Sequence, residues 1–364
     1  MIDFAKDIIK FILFNFKALM KLMFSRRIIT FPKNAVLFIT HNLGGGTAFY
    51  EKNIDTTNFV FLRAICHKCD FCYELSVGTE KTYITNKKIP EIIGQFNKII
   101  VNSLAKFSHK IEILELLSNT HEKIITYMVH DFDCICKNNF NLINGDFYCG
   151  LSCPNCHLYE KNGVKNYRES WKRFFIKVNE IRVFSESSAE IIKKIYPESS
   201  DVVKIVPHDI TYLNNYLPIE VQTKELHIGI VGNCNGKAKG EFVVHNFLKF
   251  AAKNDVKVSV IGKTKLKNKV YSKNIVYRGR YIQSDLGKIL QQEGINVVFF
   301  PSICPETFSF LVSELIAYGL YICCFKFGAQ AQKIKNYDKG FFLDSYLPKE
   351  IYRQIEKYYM DKLK

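Results

Sequence analysis

Short, nearly unbroken apolar runs alternate with amphipathic stretches along most of the chain. AVLFIT (35–40), FVFLRAI (59–65), KIIVNS (98–103), KIITYMV (123–129), IRVFSES (181–187) and VVKIVP (202–207) predict strands. Strands that are apolar on both faces and separated by helical stretches predict a parallel sheet covered on both sides. Residues 66–85 read as an inserted hairpin. Residues 132–164 carry Cys, Asn, Gly and Pro with little periodicity, which predicts a long functional loop.

The pattern restarts at Leu226. Strands LHIGIVG (226–232), VKVSVIG (256–262), NIVYRG (274–279), NVVFFPS (296–302) and YICCFKF (321–327) alternate with helices expected at 240–253, 284–292 and 306–318. This is a second doubly wound α/β unit, with the boundary in 210–224. The division expected is a helix at 1–28, a first domain at 29–215, a second at 216–345 and a helix at 346–364. Two such units in tandem predict a cleft at the carboxyl ends of their strands, where open sheets bind ligands.

The first 24 residues are apolar-rich, but Asp3, Lys6, Asp7, Lys10, Lys17 and Lys21 interrupt them. No run approaches the ~20 apolar residues of a spanning helix. The charges recur at helical spacing on one side, and Ile8, Ile9, Phe11, Ile12, Leu13, Phe16, Leu19, Leu22 and Met23 cover the rest. With Arg26 and Arg27 following, residues 1–28 predict a helix lying in a membrane interface. A helix docked on the protein's own core is the alternative.

Composition narrows the partners. The 51 Lys and Arg against 35 Asp and Glu give a net charge of +16, which favours anionic partners. No basic stripe with interleaved aromatics, zinc-finger spacing or recognition helix is present, so nucleic acid is not expected. The 12 cysteines are irregularly spaced and no secretory signal is visible, which suits a reducing cytoplasm.

The densest chemistry lies in PSICPETFSFLVSELIAYGL (301–320), which follows a buried strand and predicts a helix between Pro305 and Gly319. On that helix Glu306 and Glu314 would stand about 80° apart around the axis. N–H groups of Thr307 and Phe308 at its tip would suit a phosphate. Taken alone, a Glu in a first turn often only complements the helix dipole.

This segment resembles the Glu-x7-Glu motif of retaining family 4 glycosyltransferases. Three more segments match in the same order. HNLGGGT (41–47) is similar to their glycine-rich loop. VHDFDCIC (129–136) with NLINGDFYCG (141–150) is similar to a pattern in members that build rhamnose-containing and O-antigen-type bacterial polysaccharides. IGIVGNCNGKAKG (228–240) is similar to the first strand and Lys-Gly turn of the nucleotide domain. The resemblance spans about 35–334 and implies the GT-B fold, two Rossmann-like domains facing across a cleft. Such folds commonly return the final helix to the first domain.

The implied activity is metal-independent, retaining, hexosyl-type transfer from a nucleotide-diphosphate sugar to a lipid-linked or growing glycan. It would serve bacterial cell-surface polysaccharide synthesis on the inner face of the cytoplasmic membrane, with no cofactor. Glu306 would bind hydroxyls of the transferred sugar and Glu314 the ribose hydroxyls. Lys239 would pair with the diphosphate, assisted by Thr307 and Phe308. Gly44, Gly45 and Gly46, with Gly232 after the nucleotide-domain strand, would let backbone approach the donor. Tyr281 would contact the base, and His130 and Asp131 would lie beside the reacting sugar and acceptor. Many family members carry Arg where this chain has Asn233; Lys237 or Arg280 would then supply the charge. The rival reading is a non-catalytic GT-B protein that binds donor without turnover.

The cysteines permit a further reading. Cys134, Cys136, Cys149, Cys153, Cys156 and His157, or Cys66, Cys69 and Cys72, include spacings compatible with structural zinc. The first group holds only one true Cys-x2-Cys pair and the second falls at an expected strand end and turn, so packing is the preferred account. No Asp-x-Asp metal motif is visible in the second domain.

Overall fold

The computed structural model describes residues 13, 15–25, 29–42, 46–65, 72–105, 107, 109–120, 122–137, 141–153, 156, 163–220, 224–266 and 270–363. The chain divides into two compact units. One comprises residues 1–140, 154–184 and 189–206; the other comprises 141–153, 185–188 and 207–364.

The first unit is built on an eight-stranded sheet. Its strands are β1 (Val36–His41), β2 (Phe59–Ala64), β3 (Tyr73–Val77), β4 (Glu80–Ile84), β5 (Lys98–Val101), β6 (Ile124–Met128), β9 (Glu180–Val183) and β10 (Val203–Ile205). The intervening β7 (Ile143–Asn144) and β8 (Phe147–Tyr148) form a separate small hairpin. The sheet order is β10-β9-β6-β5-β1-β2-β3-β4. Six strands are parallel, and β3 and β4 extend the sheet as the antiparallel hairpin expected from the sequence. Leu37, Phe38 and Ile39 of β1 have no solvent exposure, as central parallel strands require.

Residues 15–23 are helical. Ala18 packs with Ile65 and Cys72, and Leu22 and Tyr83 lie against them. The Ser25 hydroxyl accepts the Tyr83 N–H at 2.7 Å, tying the end of the segment to β4. Leu13, Phe16, Leu19, Met23 and Phe24 stay exposed. The segment therefore docks on its own unit by one face and leaves an apolar stripe on another.

The second unit carries a six-stranded, all-parallel sheet. Its strands are β11 (Ile228–Val231), β12 (Val258–Ile261), β13 (Ile275–Gly279), β14 (Val297–Phe300), β15 (Tyr321–Phe325) and β16 (Gly340–Leu343), in the order β13-β12-β11-β14-β15-β16. Two apolar cores cover its faces. Both units thus hold a Rossmann-like parallel sheet, as the apolar runs predict.

Two expectations are corrected. The helix after β14 spans Phe310–Ala317, so Glu306 lies in the preceding loop and the angular argument for Glu306 and Glu314 does not apply. Ser309 has φ 61°, a left-handed turn that separates Pro305 from the helix. The last helix, Pro348–Leu363, packs on the second unit: Ile351, Ile355 and Tyr359, spaced four apart, join its core. They meet the face of the helix Glu241–Lys253 that also contributes Val244, Phe247 and Leu248.

Candidate functional site

In a doubly wound sheet, ligands bind beyond the carboxyl ends of the strands at the point where strand order reverses. In the second unit that point lies between β11 and β14. The loop after β11 leads through a short turn, Lys237–Lys239, and the loop after β14 contains residues 301–309. The two loops are fastened together. The Ile303 N–H and the Ser302 hydroxyl both donate to the Ala238 carbonyl, at 3.0 and 3.1 Å. Gly240, with φ 73°, abuts the Pro301 carbonyl so closely that a Cβ would collide with it.

This close approach brings Lys239 onto Glu306: Nζ and Oε1 are 2.6 Å apart. The adjacent Glu306 carboxylate raises the Lys239 pKa, so the ammonium stays charged. Glu306 itself is held by its backbone. Its N–H donates to Gln330 Oε1 at 2.9 Å, and its carbonyl accepts the Ala329 N–H at 2.9 Å. The other end of the Gln330 amide donates to the Cys304 carbonyl at 2.8 Å. Gln330 is fully buried, so one side chain clamps both sides of Pro305. Gly328 permits this, since a Cβ there would sit 2.6 Å from Pro305 Cα and 2.7 Å from the Glu306 nitrogen.

Glu314, 5% exposed, lies on the helix that follows. Its Oε1 accepts from the Tyr212 hydroxyl at 3.2 Å and from Gln283 Nε2. Burial raises its pKa, and the two donors oppose that rise. The helix begins at the carboxyl edge of the sheet, where its N-terminal dipole end favours anions. A cation, two carboxylates and a helix N-terminus at one switch point suit a ligand that combines hydroxyls with phosphate.

Residues 219–364 match the family model described as glycosyl transferases group 1. The chain has the fold of the GT-B glycosyltransferases. Among solved structures it is similar to HepE of Anabaena in complex with UDP, at 12% identity and TM-score 0.59, over 90% of each chain. Sucrose-phosphate synthase from Thermosynechococcus elongatus is 11% identical, with TM-score 0.57, over 88% of this chain and 90% of that one. A glycosyltransferase from Rickettsia africae is 15% identical, with TM-score 0.56, over 92% of this chain and 89% of that one. At such identities the likeness concerns the fold. No curated protein matches the chain.

The other anticipated residues take varied places. Gly232 has φ 101° and faces Leu311 of the helix Phe310–Ala317. Thr307 is half-buried and Phe308 buried, both in the loop between Glu306 and the helix. Tyr281 is partly buried, and burial together with the Glu314 carboxylate raises its pKa, which puts it in Glu314's electrostatic reach. Arg280 and Asn233 are exposed. Lys237 reaches the β7–β8 turn, 3.1 Å from Asp146 and 3.3 Å from the Gly145 carbonyl. That hairpin also packs Phe147 against Tyr346 and Tyr148 against Phe327.

In the first unit the strand order reverses between β1 and β5, and His130 lies just beyond β6. Its Nε2 is 2.7 Å from Asn102 Oδ1, and its ring packs on Phe184 and Tyr50 at 4.7 and 5.3 Å between centroids. Asp131 Oδ1 accepts the Asp133 N–H at 2.9 Å; burial and the Asp133 charge raise its pKa to about 7. Asp133 is paired with Lys110 at 2.6 Å. Gly46 is exposed at the start of the helix Gly46–Lys52, whereas Gly44 and Gly45 lie outside the described residues.

Among the described residues, no group of three or more His, Cys, Asp or Glu is arranged to hold a metal ion. Cys66, Cys69 and His157 lie outside them, Cys134 and Cys136 are buried, and Cys149, Cys153 and Cys156 are half-buried. Sequence reasoning missed Gln330, Gln283, Tyr212 and Asn102, the neutral side chains that hold Glu306, Glu314 and His130 in place. None belongs to a spaced motif.

Proposed function

We propose that this protein is a glycosyltransferase that transfers a hexosyl group, with retention, from a nucleoside diphosphate sugar to a lipid-linked or growing glycan of bacterial cell-surface polysaccharide. The observation that carries the reading is the Lys239–Glu306 pair, fixed between the loops that leave β11 and β14. A departing diphosphate develops negative charge, which a preorganised cation and backbone dipoles stabilise. Lys239, assisted by Thr307 and Phe308, fills that role, with Gly44, Gly45, Gly46 and Gly232 admitting the donor closely and Lys237 or Arg280 adding charge. Glu306 orients the sugar hydroxyls, Glu314 the ribose hydroxyls, and Tyr281 contacts the base. On the first unit, His130 and Asp131 face the transferred sugar and acceptor. No divalent metal enters this scheme. UDP is the first donor nucleotide to test, because HepE of Anabaena has been solved with UDP and with UDP-glucose.

Attachment to a membrane surface through residues 1–28 is part of the proposal, with the working place at the inner face of the cytoplasmic membrane. The exposed Leu13, Phe16, Leu19, Met23 and Phe24 and the net charge of +16 support it. Among the described residues, no helix is long and apolar enough to cross a membrane.

The test is nucleoside diphosphate release from a panel of sugar donors by wild type and Glu306→Ala, beside thermal stabilisation by the free diphosphates. Wild type is expected to be stabilised by one diphosphate and to turn over its sugar, with the variant slowed by about two orders of magnitude. Equal turnover by the two proteins, or no stabilisation by any diphosphate, would overturn the reading. Stabilisation without turnover on any donor would return the non-catalytic rival.

A further inference from the structure

Asn102, immediately after β5, has no solvent exposure, and its N–H donates to the Ile39 carbonyl of β1 at 2.9 Å. Its backbone is therefore fixed to the sheet. Its side chain lies between His130 on one side and Thr40 and Glu51 on the other. Nδ2 is 3.2 Å from Thr40 Oγ1 and 3.5 Å from Glu51 Oε1, and Oδ1 is 2.7 Å from His130 Nε2.

Chemistry decides which way this amide faces. The Thr40 hydroxyl donates its one proton to Glu51 Oε1 at 2.5 Å, so its oxygen offers Asn102 only lone pairs. An ionised Glu51 is an acceptor alone, and its other oxygen is held by Arg63 at 3.2 Å. Two acceptors on that side require the NH2 group of Asn102 to face them. The carbonyl oxygen must then face His130, and Nε2 must carry a proton. Nδ1 becomes the lone-pair nitrogen of the neutral ring, which accepts from a hydroxyl and does not donate to one.

We infer that Asn102 is a positioning residue that sets the tautomer and ring plane of His130, and that Thr40 and Glu51 set the orientation of Asn102. The inference rests on the reading of His130 as a residue of the reaction site. The chain of contacts runs Arg63–Glu51–Thr40–Asn102–His130, across the carboxyl ends of β2, β1, β5 and β6. Phe184 and Tyr50 limit the tilt of the ring. Partners that orient a functional imidazole in this way commonly matter 10- to 100-fold in metal sites, and a similar scale is expected here.

Ring-nitrogen NMR on the full chain with 15N-labelled histidine tests it, His130 being assigned by its loss in His130→Ala. Wild type is expected to show the Nε2–H tautomer. Asn102→Asp, which keeps an acceptor against Nε2, should keep that nitrogen protonated; Glu51→Gln, which lets the amide flip, should give a mixture. Asn102→Leu should abolish the preference and lower kcat for transfer about 10- to 100-fold with donor KM little changed. If Asn102→Leu fails to fold, the Asp and Gln variants carry the test. An Nδ1–H tautomer in wild type, or a tautomer unmoved by Glu51→Gln, overturns the inference. If the tautomers behave as expected but His130→Ala transfers at the wild-type rate, the positioning stands and the role of His130 in the reaction falls.

Discussion

Replacing Gln330 with Leu keeps the volume and removes both hydrogen bonds of the buried amide. The Glu306 N–H and the Cys304 carbonyl each lose a partner now at 2.9 and 2.8 Å. A buried polar group stranded in this way costs about 1–3 kcal/mol, so the pair predicts a loss of about 2–6 kcal/mol. A unit of this size shifts by about 2–4 °C per kcal/mol, which places the second unit's transition about 4–24 °C lower by calorimetry. The same change frees the backbone on both sides of Pro305, so donor KM should rise well before the fold is lost. Gln330→Glu separates the two bonds: it keeps an acceptor for the Glu306 N–H but opposes a carboxylate to the Cys304 carbonyl. Its loss should therefore shrink at low pH, where the acid is protonated and donates. A Gln330→Leu protein melting within about 1 °C of wild type, with donor KM unchanged, would refute the clamp.

Gly240→Ala forces a Cβ into the Pro301 carbonyl at a left-handed φ of 73°; calorimetry should show a loss of about 1–3 kcal/mol and assays a rise in donor KM. Lys239→Met should lower kcat for transfer about 100-fold or more, measured by nucleoside diphosphate release. Its melting temperature should change little, because the lysine side chain is 43% exposed. His208 packs its ring on Phe308 and Phe310, and burial, with Lys333 nearby, lowers its pKa from 6.5 to about 4. The fold keeps it neutral while the unfolded chain protonates it, so its contribution is whole above pH 6.5 and is lost as pH falls toward 4. The loss amounts to about 3 kcal/mol, and melting curves of His208→Gln should lack that part of the pH dependence.

The strands were legible because a parallel sheet covered on both faces requires apolar residues at successive positions, and β1, β5, β6, β11, β14 and β15 all supply them. Helix starts were less legible. Pro305 and Glu306 carry the local signals of a first helical turn, yet the chain turns left-handed at Ser309 and begins its helix at Phe310. The forces that hold 301–306 out of the helix come from Gln330, Gly328 and Ala238, none of them a sequence neighbour. The strand β16 escaped because GFFL is short and follows a charged turn. The periodicity of 348–363 gave a helix, but not its partner: Ile351, Ile355 and Tyr359 would fit any open apolar groove. Charged residues at motif spacing could be picked out, whereas Asn102 and Gln330 could not. A single polar residue reads the same in sequence whether it lies in solvent or at the centre of a hydrogen-bond network.

The two switch points carry different chemistry, and the difference bears on the proposed reaction. In the second unit the loops present Lys239 and Glu306 as a partly exposed ion pair, with Glu314 held by two neutral donors. In the proposed reaction a diphosphate arriving there would meet a cation whose counterion can exchange to sugar hydroxyls, so binding would not require stripping water from a bare charge. In the first unit the comparable position is set by Asn102 and His130, while the charges of Arg63 and Glu51 compensate each other behind them. Hydroxyls of a neutral sugar are read by directional hydrogen bonds, and an uncompensated charge there would favour ionic ligands over carbohydrate. Exchanging Asn102 for Asp therefore probes more than the imidazole: it adds one negative charge at the position the proposal assigns to neutral hydroxyls.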